Sequence, residues 1–301
     1  MSDRGDRYGA IEAGGTKFIC AVGLADGSLI EHVRIATREP ASTLADVFEW
    51  FDGAERRHGA LRAFGVGAFG PIELRPAAPH YGFITTTPKA GWRYFDLLGS
   101  LRRRLARPVA FDTDVNAAAL GELRWGAAQR LQSLAYVTVG TGIGAGIVHY
   151  GRPVHGLMHP ELGHAIVRRH SADGTFAGIC PFHGDCLEGL AGGPAIQART
   201  GGRLSDAVPE DPIWAIEADY LGQLAALLVL AHSPEIILFG GGVMEGGELH
   251  RRVHARMHHW LHGYLPQPEM ADPDFIRAPA LGDQAGIRGA LALALDAAAG
   301  H

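Results

Sequence analysis

A strand, a glycine turn and a second strand occur twice in this chain, and that recurrence limits its fold more than any other feature. Tyr8–Ile11 and Phe18–Val22 flank Glu12-Ala13-Gly14-Gly15-Thr16-Lys17, and Ser133–Val139 and Ile147–Tyr150 flank Gly140-Thr141-Gly142-Ile143-Gly144. Two apolar runs joined by glycines predict a β-hairpin. Each hairpin then feeds further strands and helices. No fixed-period repeat of the solenoid kind is present, so the likeness between the halves is architectural. A chain of 301 residues has room for two domains of ordinary size. The pattern predicts two related α/β lobes facing one cleft. Residues 1–115 form the first lobe, residues 116–285 the second, and a terminal helix over 286–301 packs back on the first.

Between these landmarks the periodicity predicts a third strand near 29–35, a helix over 44–57 and a strand over 64–68. A helix over 97–104, a short strand at 109–111 and a helix over 117–125 follow. The second half continues with helices over 193–200, 214–232 and 248–263 and an apolar strand over 235–239. Leu221, Leu224, Leu228 and Ala231 recur at helical spacing in the second of these helices. His250, His254, His258, His259 and His262 share the third, but no cysteine or carboxylate accompanies them as a metal partner, and they read as surface and packing residues.

Residues 159–188 hold a more pointed signal. His164, Cys180, His183 and Cys186 form a Cys₂His₂ set, with three of the four in a Cys-x₂-His-x₂-Cys loop. Four such ligands suit tetrahedral Zn²⁺, and a closed set without an open position is a structural site. The plainer reading is two buried cysteines and two surface histidines in a chain carrying 16 His. Glu161 and Glu188 bracket the set without being obvious ligands. A metal loop would hold both carboxylates near one point, as a polar substrate pocket requires.

Three glycine turns, EAGGTK, GTGIGAG and FGGGV, each follow a strand. Glycine lets backbone N–H groups approach phosphate oxygens with no Cβ in the way. Neither the G-x-x-x-x-G-K-[ST] loop nor the dinucleotide fingerprint fits, because Gly140-Thr141-Gly142 lies between strands and does not open a helix. With 42 glycines one cluster means little; three at strand ends point to a nucleotide clasped between two lobes. Thr16 and Lys17 offer a hydroxyl and a cation for the β- and γ-phosphates, Thr141 offers successive amides, and Gly240-Gly241-Gly242-Val243 offers flat backbone for an adenosine.

Asp112-Thr113-Asp114-Val115-Asn116 lies after a strand and before a helix. A carboxylate there can accept the proton of an alcohol attacking a phosphoryl group. Alternatively one of these residues only caps the helix; Asn116 is the expected N-cap, which leaves Asp114 for chemistry. Composition excludes other classes. A net charge of −5 argues against nucleic acid as a partner. Three cysteines, two of them in the metal set, leave no disulfide framework and fit a reducing compartment. The N-terminus has no apolar h-region, and the longest apolar run, near 224–231, is too short to span a bilayer. The expectation is a cytoplasmic globular protein without a membrane partner.

IEAGGTKF, DTDVNAAALGE, VGTGIGAG, HPELGH, the Cys-x₂-His-x₂-Cys loop, CLEGLAGGPAI and ILFGGGV occur in the order found in ROK-family sugar kinases, which this chain resembles over nearly its whole length. The IEAGGTKF opening, FGPI followed by TTTPK-x-x-W, and the C-P-x-H-x-x-C loop are similar to the bacterial fructokinase branch. The resemblance implies an α/β, actin-like (ribonuclease H-like) ATPase fold with two lobes around a central cleft. It implies ATP and Mg²⁺ in that cleft, a structural Zn²⁺ and a homodimer. Asp114 matches the family's general base. Gly70, Pro71, Thr113, Glu161, His164 and Glu188 match its sugar-side positions, with His164 bridging pocket and zinc. Gly14, Gly15, Thr16, Lys17, Gly140, Thr141, Gly142 and Gly193 match the phosphate-side turns, and Gly240 to Val243 the adenosine side.

The chain departs from the wider family at three positions. Glu12 stands where most members have Asp, although the fructokinase branch resembles this chain there. His183 replaces a cysteine of the usual Cys₃His loop, and Thr113 replaces an Asn that touches the sugar. The activity implied is ATP-dependent phosphorylation of the 6-hydroxyl of fructose. The alternatives are a glucokinase or mannokinase of the same family, a sugar-sensing repressor, for which the first strand near residue 8 leaves no room for a DNA-binding domain, and a catalytically dead zinc module.

Overall fold

The computed structural model describes residues 5–300, which fall into two compact units. One contains the chain up to Gln129, Arg152–His159 and the residues from Asp283 onward; the other contains Arg130–Gly151 and Pro160–Gly282.

The first unit is built on the sheet β3-β2-β1-β4-β7. β1 (Tyr8–Ala13), β2 (Lys17–Gly23) and β3 (Leu29–Ala36) form an antiparallel meander, and the first glycine turn joins β1 to β2. After α1 (Pro40–His58), β4 (Phe64–Ala68) runs parallel to β1. The two-residue strands β5 (Phe83–Ile84) and β6 (Phe95–Asp96) pair with each other ahead of α2 (Leu97–Leu105), and β7 (Val109–Thr113) then runs parallel to β4. α3 (Asp114–Trp125) leaves the end of β7 directly.

Strand alternation gives the sheet two apolar faces. Ile11, Phe18, Cys20 and Val66 share one core with Phe51 of α1, Leu97 and Leu101 of α2, and Trp92. Ala10, Ile19 and Ala21 face Ile287, Ala290, Leu291 and Ala294 of the terminal helix. Burying each large apolar side chain contributes about 1.5–3 kcal/mol before entropy is counted. The second face is lined by alanine because backbone approaches backbone there. A Cβ at Gly65 would strike the terminal helix, and one at Gly289 would strike the Ala117 carbonyl of α3. The Arg124–Asp296 ion pair also ties α3 to that helix. α3 therefore sits with the first unit, and the division falls after Gln129 and not near residue 115.

In the second unit β8 (Leu134–Val139) and β9 (Ile143–His149) are the arms of the second glycine hairpin. β10 (Arg152–Pro153) and the terminal α8 (Ala285–Ala299) belong to the first unit; between them the second unit adds α4 (Leu187–Ala191), α5 (Gly193–Thr200), α6 (Pro212–His232), β11 (Ile237–Gly240), α7 (Glu248–Leu261) and β12 (Ile276–Arg277). β11 pairs in parallel with β8 on one side and β12 on the other. α6 has the length and hydropathy of a membrane span, but 78% of its apolar window is buried. It packs on α7, where the Asp219 carboxylate accepts from Arg256 and, at 3.0 Å, from the Trp260 indole N–H. The histidines of α7 serve packing: His250 Nε2 lies 2.7 Å from the Phe239 carbonyl, and His254 and His258 both reach the Met270 carbonyl at 2.8 Å.

Candidate active site and metal centre

Three groups of the predicted site residues lie in the first unit. In the turn between β1 and β2, Gly14 N–H donates to the Lys17 carbonyl at 3.0 Å, which closes a tight loop and leaves Thr16 and Lys17 exposed. The Thr37 hydroxyl holds the Gly14 carbonyl from outside at 2.7 Å. Gly70 and Pro71, joined by a cis peptide, are half-buried, and the Pro71 carbonyl accepts from Thr85 N–H at 2.7 Å.

At the end of β7 the structure corrects the expected cap. Thr113, extended at φ −68° and ψ 155°, is the N-cap, and its hydroxyl accepts from Asn116 N–H at 3.1 Å. α3 thus begins at Asp114, three residues earlier than expected, because a threonine hydroxyl one residue before the helix can satisfy an otherwise unpaired amide. Asn116 turns its amide to Asp112, donating from Nδ2 to Oδ1 at 2.7 Å. Thr113 is buried, and the cap engages one lone pair of its hydroxyl oxygen.

Asp114 lies in the first turn of α3, where the helix dipole favours an anion. Its Oδ1 accepts from Val115 N–H at 2.9 Å, while Oδ2 has no donor among the described residues. Burial pushes its pKa up to about 6, against the smaller opposing effect of the backbone hydrogen bonds. Beside it stands Glu12 of β1, which the sequence reading did not place in the site. Burial and then the Asp114 charge raise Glu12 to about 7, and its Oε2 is buried without a hydrogen-bond partner. The sequence ends the strand at Ile11 and puts Glu12 in the glycine turn, whereas β1 runs on to Ala13.

The second unit holds the rest. Gly140 N–H donates to the Gly142 carbonyl at 2.9 Å, and Gly193 N–H, at the start of α5, donates to the Gly140 carbonyl at 2.7 Å. Gly193 thereby braces the second glycine turn. Glu188, in the first turn of α4, accepts from Ile143 N–H at 2.9 Å through Oε2. A Cβ at Gly142 would lie 2.6 Å from that same oxygen, so a side chain there would displace the Glu188 carboxylate. Thr141 stays exposed. At the third turn Gly241 takes φ 91°, a backbone state that favours glycine, and Gly242–Met244 form a 3₁₀ turn, not a flat shelf.

His164, on the 3₁₀ turn Leu162–His164 that follows half-buried Glu161, meets the cysteine loop. One donor atom each from His164, Cys180, His183 and Cys186 lie within 4.8 Å of one another. His164 Nδ1 is 3.4 Å from Cys186 Sγ and 3.8 Å from Cys180 Sγ, and His183 Nδ1 is 3.6 Å from Cys180 Sγ. Ligand bonds of 2.0–2.3 Å give a tetrahedron with edges of about 3.3–3.8 Å. The donor set therefore fits a tetrahedral N/S-binding cation. Burial raises the Cys186 thiol to about 11, so cation binding there displaces a proton.

Two glycine-turn hairpins, each opening a mixed sheet, and an aspartate in the first turn of a helix that follows a parallel strand belong to the actin-like ATPase class of fold. The chain matches the ROK family model over residues 8–297. It is 42% identical to a fructokinase of Zymomonas mobilis, covering 96% of this chain and 97% of that protein. It is 41% identical to a fructokinase of Pediococcus pentosaceus, covering 95% and 96%. The ROK hexokinase of Thermus thermophilus superposes with a TM-score of 0.77 at 29% identity, covering 96% of this chain and 98% of that one. The chain belongs to the ROK family.

Proposed function

We propose that this protein is a fructokinase that transfers the γ-phosphoryl group of ATP to the 6-hydroxyl of fructose. The observation that carries the reading is the agreement of fructokinase relatives at 41–42% identity over almost the full chain. In the chemistry, Asp114 accepts the proton of the attacking hydroxyl through its free Oδ2. A pKa of about 6 leaves it ionised at neutral pH yet basic enough to take that proton. The exposed Thr16 and Lys17 and the amides of the first glycine turn hold the triphosphate, as do Thr141, Gly142 and Gly193 from the second turn. Gly240 to Val243 serve the adenosine. Glu12, with its unpartnered buried oxygen, is the carboxylate that suits the hard cation accompanying ATP. Mg²⁺, when bound, neutralises developing phosphate charge.

Gly70, Pro71, Thr113, Glu161, His164 and Glu188 hold the sugar. Thr113 spends one acceptor lone pair on the α3 cap and keeps its O–H and a second lone pair for a sugar hydroxyl. Glu188 spends one oxygen on Ile143 N–H, keeping the other for a hydroxyl. His164, Cys180, His183 and Cys186 hold Zn²⁺, which fixes the ends of the Glu161 and Glu188 segments and takes no part in the reaction. The assembly is a cytoplasmic homodimer, a reading that rests on the family resemblance, and sedimentation at micromolar concentration checks the dimer. Comparing kcat/KM for fructose, mannose and glucose with ATP tests the substrate: fructose leads, and a clear preference for glucose or mannose would overturn the assignment.

A further inference from the structure

Residues 152–159 leave the hairpin of the second unit and belong to the first. This strap is fastened by two histidines. At one end Ile72 N–H, next to the Gly70–Pro71 loop, donates to the buried His159 Nε2 at 3.0 Å. At the other His155 Nε2 lies 3.0 Å from Asp112 Oδ2 and 3.1 Å from Oδ1. Asp112 is buried and also accepts from Thr113 N–H and from Asn116 Nδ2, both at 2.7 Å. One carboxylate thus gathers the strand end, the first turn of α3 and the strap, two residues from Asp114.

We infer that His155 is a positioning residue for the proposed base: by donating to Asp112 it fixes the β7–α3 turn that aims Asp114. The inference rests on the reading of Asp114 as the base. A buried carboxylate needs every available donor, and His155 is the one donor to Asp112 that comes from outside the turn itself. The hydrogen bond to Asp112 holds the imidazole pKa above its ordinary value. The imidazole is 39% exposed, and it has no other charged partner among the described residues. Its Nε2 also lies 3.3 Å from Asn116 Nδ2, so the ring is held against Asp112 and the amide that Asp112 itself binds. Half-way along the strap Leu157 and Met158 stay exposed, so apolar burial does not hold it there.

The test is a kinetic cycle on the full-length enzyme with fructose and ATP. His155→Ala should lower kcat roughly tenfold, with the KM for ATP changed by less than about twofold. His155→Gln, which retains a neutral donor, should restore most of the loss. Asp112→Asn should lower kcat, and adding His155→Ala to it should cost little more, because both changes break one contact. Wild-type kcat in His155→Ala, or fully additive losses in the double variant, would overturn the inference. If His155→Ala does not fold, His155→Gln and Asp112→Asn decide: wild-type kcat in both overturns it. Asp114→Asn is measured in parallel. Retained turnover in that variant sinks the base assignment itself, whereas a dead Asp114→Asn beside an unaffected His155→Ala sinks only the role of the strap.

Discussion

Asp114 and Glu12 show what one buried carboxylate does to another. Neither meets a cation close enough to cancel the loss of water, so both hold their protons more tightly than free carboxylates. For Asp114 the sign follows directly. The base works only when ionised, so kcat should be flat near pH 7–8 and fall tenfold per unit as pH drops below about 6. A kcat–pH profile checks this, and an unchanged rate at pH 5 would remove Asp114 from the role. For Glu12 the linkage concerns stability. Its folded pKa of about 7 exceeds the ordinary value of 4.5, so its contribution is most favourable below pH 4.5 and is lost as pH rises through 7. Glu12→Gln should therefore melt higher than the parent by a margin that widens from pH 5 to pH 8, while needing more Mg²⁺ for half-maximal activity. Calorimetry across that range and a Mg²⁺ titration check the two halves. The pairing is the usual exchange of stability for a prepared site.

At the scale of elements, the glycine hairpins and the metal loop were legible because backbone need leaves a compositional trace. Gly142 admits the Glu188 carboxylate, and a Cβ at Gly193 would crowd the Gly140 carbonyl at 2.9 Å, so small residues suit both places. The Cys-x₂-His-x₂-Cys spacing likewise announced a shared point for its donor atoms. The cap of α3 was not legible in the same way. Thr113, Asp114 and Asn116 are all good N-cap residues, and only the extended backbone at Thr113 chooses among them. Nor could the sequence show that Glu12 stands beside Asp114, since the pairing of β1 with β4, and β4 with β7, brings together positions about a hundred residues apart. His155 lay hidden for the same reason.

The metal loop gives a prediction at this scale. Purified protein should contain about one zinc per chain. Stripping it with a chelator should lower the melting temperature and raise the KM for fructose, because Glu161 and Glu188 flank the loop. A metal-free sample with native melting and KM would show the four ligands to be an incidental cluster.

For the whole molecule, sequence order alone carried the class. A net charge of −5, three unpaired cysteines and the two-hairpin plan argued against nucleic-acid binding and a disulfide scaffold, and the motifs in register pointed to the ROK family. What order could not fix was where one unit ends. α3 reads as the opening of the second half, yet Gly121 and Gly289 let it settle against α8, and the apolar area gained there assigns it to the first unit. In the proposed mechanism the activity depends on a single carboxylate at the head of that helix. The turnover of Asp114→Asn with fructose and ATP measures this most directly. The account predicts a kcat reduced about 10²–10⁴-fold with fructose binding retained, and a variant turning over at the parental rate would contradict it.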